Sequence, residues 1–153
     1  MLQNSNISNI LSIFFRHPNK QYYLMDISKR IKLAHTSVKN NLDILERIGL
    51  IVKTFEKRGK RKFPFYRANK DRMFFRRYKK VFNLSSLLES GLVEFLEEKL
   101  APRVIIVFGS YERGEDVDES DIDIFLECKK EEIDLDRFEK KLERKIQLHF
   151  NEN

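Results

Sequence analysis

The chain has 153 residues, room for one ordinary domain or two small ones, and its 41% hydrophobic residues, with 13 Phe among them, suffice for a real core. Charged residues make up 35%, and no apolar run approaches the roughly 20 residues that span a bilayer, which excludes a membrane protein. A single cysteine, Cys128, excludes an internal disulfide, and the N-terminal residues lack the basic start and cleavage site of a signal peptide, so the cytoplasm is the expected compartment.

The formal net charge of +6 conceals an uneven distribution. Residues 1–82 hold 20 Lys and Arg against 5 Asp and Glu, a net of +15, while residues 83–153 hold 10 against 19, a net of −9. Two units with different partners are expected, the first drawn to polyphosphate because each neutralised phosphate releases counterions.

Ile7, Ile10, Leu11, Phe14 and Phe15 recur at helical spacing, and Pro18 stops that helix. Gln21–Leu24 reads as a short strand, and Asp26–Ile31 as a short helix with Leu24, Ile27 and Ile31 inward. A third helix follows a polar break, with Thr36 the favoured N-cap, Val38, Leu42, Leu45 and Ile48 on its apolar face, and Gly49 at its end. Leu50–Phe55 and Phe63–Arg67 read as two strands joined by the basic turn Lys57–Arg61, with Pro64 placing the second strand on a sheet edge.

Three helices, the last two joined by a tight turn, followed by a basic hairpin: the stretch Tyr23–Arg30 through His35–Leu42 to Glu46–Ile51 resembles winged helix-turn-helix transcription regulators over roughly residues 5–68. On the third helix Thr36, Ser37, Lys39, Asn40 and Asn41 lie off the apolar stripe near the N-terminus, the end that enters the major groove of duplex DNA in such proteins. The wing cations Lys57, Arg58, Lys60, Arg61 and Lys62 are suited to phosphate or the minor groove. Winged helices also mediate protein contacts; the basic wing and helix favour DNA here, and a homodimer reading two half-sites is expected. Residues 1–70 are expected to form this domain, and 71–83 a connecting helix; its interleaved aromatics and bases suit stacking on nucleic-acid bases, but the helical spacing favours Phe74, Phe75, Tyr78 and Phe82 packing against the domain or against a second copy.

The second half, 84–153, opens with an amphipathic helix from Leu84 to Leu100, with Leu87, Leu88, Leu92, Phe95 and Leu96 inward. Arg103–Phe108 reads as a buried strand, Asp121–Leu126 as a second, Glu131–Lys145 as a helix and Ile146–Phe150 as a third strand. The first strand ends in Gly109-Ser110, which lets an anion approach backbone N–H groups and a hydroxyl. Asp121 and Asp123, two apart on a strand, share one face, an arrangement suited to Mg²⁺, which takes its remaining ligands from phosphates and water.

Gly109-Ser110, ten intervening residues, then Asp121-Ile122-Asp123, with Arg113-Gly114 inside the loop and Ser120 before the first Asp, resembles the signature of minimal nucleotidyltransferases of the DNA polymerase β superfamily. The resemblance implies that Gly109, Ser110 and Arg113 hold a nucleoside triphosphate such as ATP and that Asp121 and Asp123 are the catalytic metal ligands for Mg²⁺. Nucleotidyl transfer to a protein or small-molecule acceptor is the implied reaction. The expected fold is therefore α+β: a winged helix, then a small α/β nucleotidyltransferase domain with a short mixed sheet.

One feature departs from that pattern. Members usually carry a third carboxylate on the third strand; here Gln147 is the best-placed counterpart, Glu152 lies beyond the apolar run, and His149 reads as an ordinary exposed or packed histidine, with a base as the alternative. This favours nucleotide binding and regulation over transfer, and leaves open that a partner completes the site or that the chain is a fragment. His17, His35, His149 and Cys128 have no metal-ligand spacing, and there is no Gly-x4-Gly-Lys loop.

Overall fold

A computed structural model describes residues 5–151 of the chain, apart from the Arg58 side chain. Glu152 therefore lies outside the described residues. The chain divides into two compact units, 1–75 and 76–153. The division falls inside a helix.

In the first unit, α1 (Asn6–Arg16) starts at Ser5, whose side chain accepts the Ser8 N–H at 3.2 Å, and buries Ile10, Ile13, Phe14 and Phe15. The strand β1 is only Gln21–Tyr22, because Tyr23 caps α2 (Leu24–Ile31): its N–H donates to the Asp26 carboxylate at 3.2 Å. Leu24 thus belongs to the helix and not to the strand. The N-cap of α3 (His35–Arg47) is Ala34, two residues before the expected Thr36, which lies within the first turn. Val38, Leu42 and Leu45 are buried as expected, but Ile48 is the C-cap and is exposed. Gly49 closes the helix: its N–H donates to Glu46 O at 2.9 Å and that of Leu50 to Leu45 O at 3.0 Å, the paired bonds of a Schellman cap.

Strands β2 (Ile51–Arg58) and β3 (Arg61–Ala68) are longer than their apolar cores, and Gly59-Lys60 alone forms the turn between them. The sheet order is β1-β3-β2, all antiparallel, so β3 is the central strand and the edge placement expected from Pro64 is corrected. The proline is tolerated because β1 pairs with β3 only at Arg67 and Tyr66; at Pro64 the pairing is with Phe55 of β2.

The expected connecting helix and the first part of the following one are a single helix, α4 (Met73–Ser90), and the break falls at Gly91, before α5 (Leu92–Leu100). That break shifts the helical phase: Leu87, Leu92 and Leu96 are buried, whereas Leu88 is exposed. Of the four aromatics expected to pack, Phe75 is buried against Phe15, with ring centroids 5.1 Å apart, while Phe74 and Tyr78 are exposed.

The second unit is built on a mixed sheet of order β4-β5-β6, with β4 (Ile105–Phe108) antiparallel and β6 (Ile146–Asn151) parallel to the central β5 (Ile122–Glu127). Between β4 and β5 lies the short helix α6 (Gly109–Arg113), and between β5 and β6 lies α7 (Asp136–Leu142), half the length expected. One sheet face carries Ile122, Ile124 and Leu126 into a core with Leu87, Leu92, Leu96, Tyr111, Phe138 and Leu142. The strand β4 is not buried on both faces as its apolar run implied: Ile106 and Phe108 are exposed on the opposite side. That other face bears the polar motif. Among the described residues, no helix is long and apolar enough to cross a membrane.

Candidate functional site

The strand register assembles the motif. On β4, Phe108 stands opposite Asp123, and on β6 Gln147 does. Paired residues share a face, so Phe108, Asp123 and Gln147 form one row across the sheet. The next row is Ile106, Phe125 and His149. Gln147 is therefore the residue level with Asp123 on the third strand, where a nucleotidyltransferase would place its third acid. Asp121 is exposed and lies just before β5, which begins at Ile122.

His149, read from the sequence as an ordinary histidine, sits in the site. Its Nε2 is 3.3 Å from Asp123 Oδ1 and its ring centroid is 5.1 Å from that of Phe108. An ionised carboxylate only accepts, so the Nε2–H donates to it. The other carboxylate oxygen, Oδ2, packs onto Gly109, where a Cβ would overlap it. The close approach that Gly109 permits is thus, first of all, that of the chain's own Asp123. Gly109 also has φ +80°, which a side chain strains to adopt. Gly109→Ala is expected to cost about 1–2 kcal/mol from backbone strain alone and to turn Asp123 away from His149. Thermal denaturation reads the first effect, and the His149 ring proton shifts read the second.

Ser110, half-buried, is the second residue of α6. That helix has five residues, so the dipole expected at a helix start is small here. Arg113 is engaged elsewhere: its Nε donates to Glu115 Oε2 at 2.9 Å, and Glu115 also pairs with Arg76 at 3.2 Å. These two arginines hold the Glu115 carboxyl below its ordinary range, chiefly through the Arg113 hydrogen bond.

The ten-residue loop between Gly109-Ser110 and Asp121 is pinned from beneath by residues that no motif indicated. Asp116 is fully buried. Its Oδ1 takes the Lys79 ammonium at 3.0 Å and the Asn83 amide at 2.7 Å, and its Oδ2 takes the Arg144 guanidinium at 3.1 Å. Asn83 also donates to Tyr111 O at 2.8 Å, and Lys79 donates to Asp116 O. Burial pushes the Lys79 ammonium below its usual range, opposed by Asp116. At Gly114 a Cβ would run into the α4 backbone at Arg76 and Lys80, so the loop lies directly on that helix. Ser120 closes the loop's far end, its Oγ accepting the Val117 N–H at 2.9 Å. A faint signal for this network was present: Phe75, Lys79, Asn83 and Leu87 recur every four residues, placing a lysine and an asparagine on an inward helix face.

Among the described residues no group of three or more His, Cys, Asp or Glu is placed to hold a metal ion.

The residues of the first unit expected from the sequence to contact DNA divide by exposure. Thr36, Lys39 and Asn40 are exposed on the first two turns of α3. Ser37 and Asn41 are half-buried, and the Asn41 amide donates back to Ser37 O at 2.8 Å within the helix. On the hairpin, Lys57, Lys60, Arg61 and Lys62 are exposed, and the Arg58 side chain lies outside the described residues. Lys57 is the register partner of Lys62, and Arg58 that of Arg61.

The mixed three-stranded sheet of the second unit, with its helices, is compatible with a nucleotidyltransferase fold. Residues 91–152 match the family model described as Polymerase beta, Nucleotidyltransferase, which covers α5 and the whole β4-β5-β6 sheet, so the chain contains a domain of that fold. Comparisons with curated proteins and with solved structures gave no match.

Proposed function

We propose that the chain is a DNA-binding protein of the winged-helix kind, a transcriptional regulator, whose nucleotidyltransferase-fold domain binds a magnesium–nucleoside triphosphate without transferring it. The observation that carries the DNA reading is the hairpin register. Like charges directly opposite on a strand pair destabilise it, yet this hairpin sets Lys57 against Lys62 and Arg58 against Arg61. A polyanion laid across the tip relieves that repulsion. The order α1-β1-α2-α3-β2-β3 and the sheet order β1-β3-β2 support the winged-helix assignment, with the exposed Thr36, Lys39 and Asn40 as base-reading groups and the hairpin as the wing.

In the second unit, Gly109 and Ser110 face the phosphates in this reading, and Asp121 and Asp123 hold the magnesium ion, which neutralises phosphate charge when bound. Gln147, level with Asp123, supplies neither a charged metal ligand nor a base. Asp121→Asn is expected to abolish magnesium-dependent nucleotide binding while leaving the fold intact, because Asp121 is exposed. Isothermal titration with ATP and Mg²⁺ checks this; unchanged affinity would make the motif vestigial.

A second reading is transfer of a nucleoside monophosphate to a protein or small-molecule acceptor, with the winged helix as a targeting module. Retention of both motif carboxylates, Asp123 on the open sheet face and Asp121 just before β5, favours it, and Gln147 opposite Asp123 counts against it.

A further inference from the structure

The outward face of α4 carries a row of exposed apolar side chains: Phe74, Tyr78, Val81, Leu84 and Leu88. Each is between 42% and 58% exposed, and Val81, at the centre, is the most open of the five. Their spacing has a property that an ordinary amphipathic helix lacks. The row is symmetric about Val81: Tyr78 and Leu84 lie three residues to either side, and Phe74 and Leu88 seven. On the same helix, Phe75 is buried within the first unit, and Lys79, Asn83 and Leu87 within the second.

We propose that this face is the contact between two copies of the chain, packed antiparallel about a twofold axis at Val81. A twofold contact must be self-complementary, with residue i against j and j against i. An antiparallel pair centred on Val81 meets that condition at all five apolar positions: Val81 meets its own copy, Tyr78 lies beside the other copy's Leu84, and Phe74 beside its Leu88. Both helices then bury a seam about 21 Å long, set by the helical rise over fourteen residues. Charge selects the orientation. Arg77 lies within the row, so parallel helices would press Arg77 against its own copy, whereas the antiparallel pair sets it level with Ser85. The seam lies on α4 alone, and the inference does not depend on what the two units bind.

The test uses the full chain in sedimentation velocity at tens of micromolar. The wild-type protein is expected to sediment as a dimer, and Val81→Glu as a folded monomer, since an exposed position tolerates the charge. A Cys128→Ser background allows an orientation test. Val81→Cys should form a disulfide-linked dimer on oxidation, and a mixture of Phe74→Cys and Leu88→Cys chains should cross-link to each other far more than either does to itself. A wild-type monomer at these concentrations, a Val81→Glu variant that stays dimeric, or self-linked Phe74→Cys in preference to the mixed species would each overturn the proposal.

Discussion

Asp116→Ala is expected to destabilise the second unit by about 3–5 kcal/mol, the loss typical of removing one partner of a buried ion pair. The variant leaves the Lys79 ammonium and the Arg144 guanidinium buried without their carboxylate, and removes the acceptor of the Asn83 amide. Lys79 is already held below its ordinary range by burial, and without Asp116 the cost of keeping it charged rises further. Urea denaturation of the full chain, followed by a signal from the second unit, measures the effect. Because the loop between Ser110 and Asp121 rests on Asp116, nucleotide binding should weaken in the same variant even under conditions where it is folded. A loss below about 1 kcal/mol, well short of the buried-pair range, would mean that the network is not what holds the loop. Exchanging the whole cluster for apolar residues is a different experiment, since buried ion pairs are often replaceable by well-packed hydrophobic groups at no net loss.

The second large effect concerns the hairpin. Lys57→Glu/Arg61→Glu turns both like-charged cross-strand pairs into opposite-charged ones, with Lys62 and Arg58 as the partners. The fold should be unharmed or gain a few tenths of a kcal/mol, because opposite charges across a strand pair attract. Duplex DNA binding should fall on the order of 100-fold at low salt, and the slope of log affinity against log salt should become shallower by about 2, one for each phosphate that the variant no longer neutralises. Fluorescence anisotropy with a labelled duplex at several salt concentrations, beside a thermal melt, reads both quantities. The two move in opposite directions, so weaker binding cannot be ascribed to unfolding. Unchanged DNA affinity would remove the hairpin from the interface.

Much of this arrangement was legible in the sequence because it depends on local signals. Apolar periodicity located α1, α3 and the three strands of the second unit, and Gly49 marked the end of α3. The spacing of Gly109-Ser110 to Asp121 and Asp123 identified the open sheet face. What local pattern could not supply was pairing between distant segments. Pro64 pointed to an edge strand by a rule that holds for a strand paired along its whole length; here β1 covers β3 only at Tyr66 and Arg67, so a central strand accommodates the proline. His149 looked ordinary because its partner, Asp123, is 26 residues away and comes within reach only through the parallel register of β5 and β6. Asp116 was one acid among several in a polar loop, and its burial follows from Lys79, Asn83 and Arg144 arriving from two other segments. The helix α4 runs unbroken past residue 83 because its inward row of Phe75, Lys79, Asn83 and Leu87 continues to the break at Gly91, which the spacing of the aromatics alone does not show. Gln147 stands level with Asp123 through the parallel register of β5 and β6, and the apolar residues Ile146 and Leu148 fix its face.

Whether the second unit holds a nucleotide or spends it is decided by equilibrium binding of α-labelled ATP in the presence of Mg²⁺, with the bound label then challenged by denaturation. The expected result is saturable, magnesium-dependent binding, absent from Asp121→Asn/Asp123→Asn, with all label released as unchanged ATP when the protein is denatured. Binding that ignores both magnesium and the two aspartates, or label that stays attached to the chain or to an added acceptor after denaturation, would contradict the account.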